Sequence, residues 1–330
     1  MKDARVGSSG LRLSSVRRDA AIKAGRLASC GPYYWNLLKA LPYGAKRRLT
    51  RGKCSDYELM EPFLRDREGL EIGGPSSIFR AGKLIPVYDR CRSIDNSNFS
   101  SRTIWDSAGA GNQVGISYRN QYLLEATDLR GIPDRTYDFV LASHVLEHVA
   151  NPLRALKECS RVLREGGAML VIVPDHRANF DHRRIPTSFE HIEADYAGNI
   201  PEQDLTHLDE IAALHDLALD PAAGSAQEFR ERSLQNTRFR ALHHHVFIPE
   251  VLVRMFSKVA MQVLSVAIER PWHIIGFAGK VGKEAGEAQG ENLRFLHEDA
   301  GWRKRDPLAK SWRPAQFSPR AIHGSRQGGS

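Results

Sequence analysis

Between Leu70 and Lys280 the chain alternates short apolar runs of strand length with longer stretches of helical periodicity. This alternation is typical of β–α–β units, which build a parallel sheet with helices on its faces. Seven runs have the length and composition of strands: Gly69–Gly73, Arg92–Asp95, Tyr122–Thr127, Tyr137–Ser143, Ala168–Pro174, Gln262–Glu269 and His273–Ala278. We therefore predict an α/β fold with a doubly wound, mostly parallel, seven-stranded, Rossmann-like sheet.

The clearest helix follows the fourth predicted strand. Asn151-Pro152 is a typical helix start, apolar residues then repeat at helical spacing, and we interpret Gly166-Gly167 as the C-cap. A polar segment rich in histidine and acidic residues, 176–243, interrupts the alternation before a helix over Pro249–Ala260 resumes it. We interpret residues 176–243 as a cap inserted over the sheet.

The net charge of +8 belongs to the ends of the chain. Residues 1–51 carry a net +10 and residues 281–330 a net +3, which leaves −5 for residues 52–280. Charged ends with weak apolar periodicity are typical of poorly ordered extensions. We predict a basic, partly disordered N-terminal extension over 1–52, a folded domain over 53–280 and a disordered basic tail over 281–330.

Composition also excludes several classes of protein. No apolar run approaches the roughly 20 residues that cross a bilayer, and the N-terminus has no apolar core of a secretory signal. The four cysteines contain no CxxC pair, which argues against a zinc ribbon or a disulfide framework. We expect free thiols, no transmembrane segment and a cytoplasmic location.

The first predicted strand ends in glycines. After Glu71, the glycines Gly73 and Gly74 let the backbone turn sharply and approach a ligand where a Cβ atom would clash. Pro75 suits the first turn of a following helix, with Ser76 or the next serine as its cap. We expect Glu71, Gly73, Gly74 and Pro75 to contact a cofactor.

Polar residues also follow the next three predicted strands. Asp95, 24 residues after Glu71, ends the second strand, where a carboxylate can accept both hydroxyls of a ribose. Asp128 and Leu129 follow the third strand, where the acid can meet an adenine amino group. With Ser143 at the end of the fourth strand, these residues complete the predicted cofactor-binding set.

The order of elements resembles that of the class I S-adenosylmethionine-dependent methyltransferases, in particular their small-molecule, type 11-like subgroup. The most specific stretch begins with YDFVLASHVLEHV at 137–149 and continues through the helix to Gly166-Gly167. The glycine loop departs from the family's acid-x-Gly-x-Gly-x-Gly, since Pro75 and Ser77 occupy its second and third glycine positions. A Rossmann dehydrogenase shares such a loop, but a helix and two closing strands favour the methyltransferase order. The resemblance implies S-adenosylmethionine as cofactor and an antiparallel last strand.

Histidines follow the fourth predicted strand, and ligands bind at the carboxyl ends of parallel strands. A sulfonium methyl group is a strong electrophile, so a hydroxyl acceptor mainly needs positioning and removal of its proton. We predict His144 as the first candidate for a catalytic contact and His148 as the second; the alternative for His148 is a helix-opening element that only satisfies backbone groups. His144, Glu147 and His148 also have the spacing of one helix face, which could hold a divalent cation, but we assign no metal.

The inserted segment is unusually rich in histidine, and we interpret it as an acceptor-binding lid. His182 and His207 are candidates for a base supplied by the lid; the alternative is a polar network that holds the cap together. The segment resembles bacterial methyltransferases associated with glycan assembly, which implies a glycan hydroxyl as acceptor.

The sequence therefore predicts an S-adenosylmethionine-dependent O-methyltransferase of a small or glycan-linked acceptor. A nucleic-acid methyltransferase is the first alternative, but the basic residues lie mainly outside the predicted domain. A non-catalytic cofactor-binding module is the second alternative, which the altered glycine loop would permit. The pattern does not define an oligomeric state.

Overall fold

The computed structural model describes residues 52–104, 116–282 and 290–309. The predicted N-terminal extension lies outside these residues except for Gly52, as does the chain beyond residue 309. Seven strands lie within them: β1 Glu68–Ile72, β2 Ser93–Asn98, β3 Gln121–Leu123, β4 Tyr137–Ser143, β5 Leu163–Pro174, β6 Gln262–Glu269 and β7 His273–Gly279.

The seven strands form one sheet in the order β3-β2-β1-β4-β5-β7-β6. Strands β1 to β5 pair in parallel, whereas β7 runs antiparallel to both β5 and β6. The predicted mostly parallel, seven-stranded sheet with an antiparallel last strand is confirmed. The chain changes direction of winding between β1 and β4, and open α/β sheets bind ligands outside the carboxyl ends of the strands at such a switch point.

Eight α-helices are found in the described residues: α1 Tyr57–Leu64, α2 Pro152–Val162, α3 Phe189–Ala197, α4 Leu208–Leu214, α5 Ala226–Leu234, α6 Asn236–Phe239, α7 Pro249–Lys258 and α8 Gly301–Arg305. None of them has the length and apolar character needed to cross a bilayer.

The core divides between the two faces of the sheet because side chains alternate along each strand. Val140 and Ala142 of β4 belong to a cluster that includes residues of α2 and α7. Phe139 and Leu141 belong to a second cluster that includes residues of α1 and of the segment 79–87. Both faces of the central strands are therefore buried, and their carboxyl ends are the part of the sheet left for ligands.

Helix α2 begins as predicted and ends differently. The Asn151 side chain accepts a hydrogen bond from the backbone N–H of Arg154, and Pro152 opens the first turn. Leu163 is already extended and begins β5, so Gly166-Gly167 lies within the strand and does not cap the helix. Gly166 has φ +77°, at a point where the pairing with β4 shifts register.

No α-helix follows the glycine loop after β1. Only a short turn, Ser77–Phe79, occurs there, and the Ser76 side chain makes no capping hydrogen bond. The prediction that Pro75 opens a helix is therefore wrong. Phe79, Ile85 and Val87 are instead buried in the second core cluster, because the segment folds back with Val87 N–H donating to Phe79 O.

The inserted segment folds into helices α3 to α6. Leu208, Ile211, Ala223, Phe229 and Leu242 form a small apolar cluster of its own. The chain then continues as an extended stretch through residues 241–248 into α7. The backbone N–H of His244 in this stretch donates to Glu147 O, just after β4. The insertion therefore contacts the carboxyl end of the central strands.

Part of the predicted disordered tail is folded. Trp302 of α8 is only 5% exposed and belongs to the first core cluster. Asn292 is buried beside β6, where its Oδ1 accepts a hydrogen bond from the Val263 N–H at 2.7 Å. Apolar residues in this stretch are too few to give a readable periodicity, so the sequence analysis assigned residues 290–309 to the tail incorrectly.

Because Trp302 is buried in the core, we predict that Trp302→Ala lowers the free energy of unfolding by about 3–5 kcal/mol. Leu293→Ala is the matched control in the same segment, since Leu293 is 56% exposed, and it should change stability by less than about 0.5 kcal/mol. Urea unfolding followed by circular dichroism measures both. Equal stability of the two variants would contradict the packing of residues 290–309 on the domain.

Candidate active site

The loop after β1 uses a backbone conformation that favours glycine. Gly73 and Gly74 have φ values of +77° and +65°. A Cβ atom on Gly73 would lie 2.8 Å from a methyl carbon of Val145, and one on Gly74 would lie 2.4 Å from the carboxyl carbon of Glu71. The loop thus passes tightly between the end of β4 and the Glu71 carboxylate, and neither position has room for a side chain.

The Glu71 side chain lies against this loop and is hydrogen-bonded to it and to two tyrosines. Its buried carboxylate accepts hydrogen bonds from Tyr118 Oη at 2.7 Å, from Tyr88 Oη at 2.9 Å and from the Ser76 N–H at 3.1 Å. Burial raises the pKa of Glu71. The predicted contact of Glu71 with a cofactor is therefore indirect, because the side chain fixes the shape of the loop.

Asp95 does not end its strand, since β2 continues to Asn98 and Asp95 lies opposite Leu70. Its carboxylate accepts two hydrogen bonds from Arg119 at 3.0 Å and one from Tyr137 Oη at 2.7 Å. Burial opposes ionisation, but these hydrogen bonds lower the pKa of Asp95 overall. Tyr137 is the first residue of β4, so the carboxylate points to the opposite edge of the sheet. The prediction of Asp95 as a ribose ligand is wrong.

The residue in the predicted ribose position is Asn98. It is the last residue of β2, and its carbonyl accepts the Leu124 N–H at 3.1 Å. Asn96 supports the neighbouring loop, because its Nδ2 donates to the carbonyl oxygens of Glu71 and Gly73. Neither asparagine was predicted, because the residues after Asp95 are polar and lack the apolar pattern of a buried strand.

Asp128 and Leu129 are also placed differently from the prediction. Asp128 forms an ion pair with the exposed Arg130 at 2.6 Å. The Leu129 N–H donates to Glu158 Oε2 at 2.8 Å, and the Leu129 side chain is fully buried in the core. Neither residue offers a group to an adenine, because β3 ends at Leu123 and the chain has already turned away.

Glu125 is the acid closest to the end of β3, two residues beyond Leu123. Its partly exposed carboxylate pairs with Arg240 of the insertion. Arg240 also pairs with Glu202, and its guanidinium carbon lies 5.3 Å from the centre of the Phe99 ring. Glu125 was not predicted because the predicted third strand ended four residues too late, at Thr127. Arg240 thus fastens the insertion to the ends of β2 and β3.

Ser143 ends β4, and the next residue carries a constrained backbone. His144 has φ +54°, an uncommon conformation for a residue with a side chain, and such residues cluster at functional sites. Its Nδ1 lies 3.3 Å from Glu147 Oε1, and its Nε2 lies 3.0 Å from Nδ1 of His273. His273 begins β7 opposite Pro174, and it was not predicted as a site residue. Glu147, His144 and His273 therefore form a continuous acid–imidazole–imidazole series.

His148 lies beside a histidine of the insertion. Its Nδ1 is 3.2 Å from Leu242 O, and its ring centre is 4.6 Å from that of His243. His243 Nδ1 lies 2.5 Å from Asp181 Oδ2. Burial lowers the pKa of His148 to about 4, which makes it a weak base. Burial opposes protonation of His243 too, but the Asp181 carboxylate raises its pKa overall.

The predicted single helix face of His144, Glu147 and His148 does not exist. Leu146–His148 is a short turn preceding α2, and His144 faces His273 while His148 faces His243. Glu147, the acidic residue between these two histidines, is 1% exposed. Neither of its carboxylate oxygens accepts a hydrogen bond from the described residues.

The two predicted lid histidines are held within the insertion. His182 Nε2 lies 2.9 Å from Asp216 Oδ2. His207 Nε2 lies 3.0 Å from His191 Nε2, and burial lowers the pKa of His207. These partners match the alternative of a polar network within the cap. The structure thus brings His144 and His148 together at the end of β4 and leaves His182 and His207 in the insertion.

Comparisons with known proteins agree with this architecture. Residues 87–171 match the profile of a family described as a methyltransferase domain. A stretch of 58 residues is 36% identical to the ubiquinone biosynthesis O-methyltransferase of Parvibaculum lavamentivorans and covers 18% of this chain and 21% of that protein. The chain therefore spans about a fifth of the length of the curated relative that it matches.

The chain is also similar to two solved structures, both at low sequence identity. An S-adenosylmethionine-dependent methyltransferase from Methanosarcina mazei has 16% identity and a TM-score of 0.38, with 68% of this chain and 97% of that chain covered. A second, from Mesorhizobium loti, has 13% identity and a TM-score of 0.39, with 67% and 94% covered.

The family match begins before β2 and ends within β5, and it includes the loop after β4 where the histidines meet. The order of the seven strands and the antiparallel β7 extend the same architecture over the rest of the sheet. By this match, residues 87–171 are similar to a methyltransferase domain, and the strand order of the whole sheet agrees with that similarity.

Proposed function

We propose that this chain transfers the methyl group of S-adenosylmethionine to a hydroxyl oxygen of a small or glycan-linked acceptor. The observation that carries the proposal is that three features lie together at the carboxyl ends of the parallel strands. These are the left-handed glycine loop after β1, the polar ends of β2 and β3, and the histidine pair after β4. The match to an enzyme named as an O-methyltransferase further supports an oxygen acceptor.

The residues at these strand ends fit the parts of the cofactor. Gly73 and Gly74 offer backbone without side chains, which suits close approach of the methionine part, and Pro75 follows in the same loop. We assign Asn98 to the ribose hydroxyls and Glu125 to the adenine amino group. A carboxylate has about four acceptor positions, so Glu125 can keep its pair with Arg240 while it accepts another hydrogen bond. Bound there, the cofactor supplies an electrophilic methyl group.

The base in this proposal is His144. Glu147 lies against its Nδ1 and orients the ring, and His273 lies against its Nε2. In this proposal the acceptor hydroxyl takes the place of His273 at His144 Nε2, which accepts its proton, and the buried Glu147 carboxylate against Nδ1 stabilises the resulting imidazolium. His148 is the weaker candidate because of its lowered pKa. The partners of His182 and His207 favour a structural role for both in the cap.

We place the reaction in the cytoplasm. Cys54, Cys91 and Cys159 are free thiols, as the sequence predicts, and such thiols suit a reducing compartment. Burial raises the pKa of Cys159 to about 12, so this thiol stays protonated at neutral pH.

Gly74→Ala tests the cofactor loop. The added Cβ would meet the Glu71 carboxylate in a positive-φ conformation, and we expect the affinity for S-adenosylmethionine, measured by calorimetry, to fall at least about tenfold. Gly82→Ala is the matched control, because Gly82 has φ +71° but no atom within 4 Å of an added Cβ. It carries the same conformational cost and should bind normally. Equal affinities in the two variants would contradict the assignment of the loop.

His144→Ala tests the base. We expect cofactor affinity to stay within about twofold and transfer of labelled methyl groups to polar extract fractions to fall by about 10²–10⁴-fold. His297→Ala is the control, since the His297 side chain is 70% exposed on the segment 290–309. Undiminished labelling by His144→Ala would exclude this histidine as the base, whereas absence of labelling by the unmodified chain would count against the methyltransferase proposal itself.

A further inference from the structure

Glu147 is a buried carboxylate whose only ion-pair partner among the described residues is an imidazole, that of His144. It is 1% exposed, and neither oxygen accepts a hydrogen bond from the described residues, although His144 Nδ1 lies 3.3 Å from Oε1. No lysine or arginine in the described part of the chain forms an ion pair with it. Leaving a buried charged acceptor unsatisfied is costly, and most buried polar groups in folded proteins are paired. The surroundings of Glu147 should therefore contain a compensating positive charge.

Besides His144, two further imidazoles lie beside this carboxylate: His148 from the loop after β4 and His243 from the cap. Glu147, His148 and His243 each offer one ligand atom, and these atoms all lie within 4.8 Å of one another. Glu147 and His148 follow β4, whereas His243 comes from the extended stretch after α6. Carboxylate oxygen and imidazole nitrogen are the donors that zinc and similar divalent transition ions prefer.

The hydrogen bonds of both imidazoles set the required tautomer. His148 Nδ1 lies 3.2 Å from the Leu242 carbonyl, and His243 Nδ1 lies 2.5 Å from the Asp181 carboxylate. Both partners are acceptors, so each Nδ1 carries the proton and each Nε2 carries the lone pair. Ligand histidines in metal sites almost always donate their other N–H to a carboxylate or backbone carbonyl in this way. Asp181 is itself paired with Arg184 at 3.2 Å, whereas the described residues offer Glu147 imidazoles and no lysine or arginine.

A second histidine cluster lacks this arrangement. His191, Asp195 and His245 also lie within ligand distance of one another. His191 Nε2, however, is 3.3 Å from Asp195 and at the same time 3.0 Å from His207 Nε2, so one of the two facing nitrogens must carry a proton. The His191 side chain is also 39% exposed. This cluster is explained as a hydrogen-bonded contact within the cap and serves as an internal control.

We propose that Glu147, His148 and His243 bind one divalent transition-metal ion of the zinc type, which joins the inserted cap to the end of β4. Three protein donors leave a coordination position for water. The site shares Glu147 with the proposed base His144, but a metal measurement on the chain alone tests it without the methyl transfer.

The experiment uses the full chain after dialysis against a chelator, with Zn²⁺ for stoichiometry and Co²⁺ as a spectroscopic probe. We expect one Zn²⁺ per chain by equilibrium dialysis, visible absorption of bound Co²⁺ and a higher Tm in the loaded protein. Glu147→Gln and His243→Ala should each lower the affinity at least about 100-fold, and Asp181→Asn should lower it about 10–100-fold. His191→Ala should leave the affinity within about threefold.

Three results would overturn the proposal. The first is no stoichiometric binding by the unmodified chain. The second is unchanged affinity in Glu147→Gln, which keeps the size of the side chain and whose folding is checked by circular dichroism. The third is a loss in His191→Ala with unchanged affinity in His243→Ala, since the ion would then lie in the second cluster. None of these measurements requires S-adenosylmethionine or an acceptor, so failure of the metal site is distinguishable from failure of the proposed function.

Discussion

The buried carboxylate of Glu71 is the interaction on which the ligand edge of this sheet depends. It gathers two tyrosine hydroxyls and a backbone N–H from segments before and after β2. Each such hydrogen bond to a charged acceptor stabilises by about 1.5–3 kcal/mol. The loop passes it in a left-handed conformation at Gly73 and Gly74, and the carboxylate leaves no room for a side chain at Gly74. A side chain buried below the loop therefore decides how the backbone above it meets a cofactor.

The inserted cap is attached to the same edge by charged side chains and imidazoles. Arg240 connects it to the ends of β2 and β3, and His243 and His244 connect it to the loop after β4. The small apolar cluster of the cap cannot by itself fix this placement, so polar contacts carry much of it. Most of the histidines of the segment therefore hold the cap in place, and one of them, His243, lies beside the buried Glu147.

The sequence predicted the sheet because β1, β4, β5, β6 and β7 contain apolar runs of strand length. It also predicted that His144 and His148 lie at the end of β4, since the strand and the helix start at Asn151 bracket both residues closely. The acids after β2 and β3 were harder to assign. Asp95 and Asp128 have the right composition and approximate spacing, but β2 ends three residues later and β3 four residues earlier than predicted, so Asn98 and Glu125 lie nearer to the strand ends. Long-range partners such as His243 and His273 leave no signal in the local pattern.

The most direct test of the cofactor assignment is hydrogen–deuterium exchange of the full chain with and without S-adenosylmethionine. Bound cofactor should slow exchange of the backbone amides at residues 73–77, 97–99 and 124–126, which end β1, β2 and β3. Exchange in β6 should not change, because β6 is the outermost strand on the side of the sheet away from β1, β2 and β3. Unchanged exchange at 73–77 in the presence of saturating cofactor would contradict the account, and so would protection confined to the amino-terminal ends of the strands.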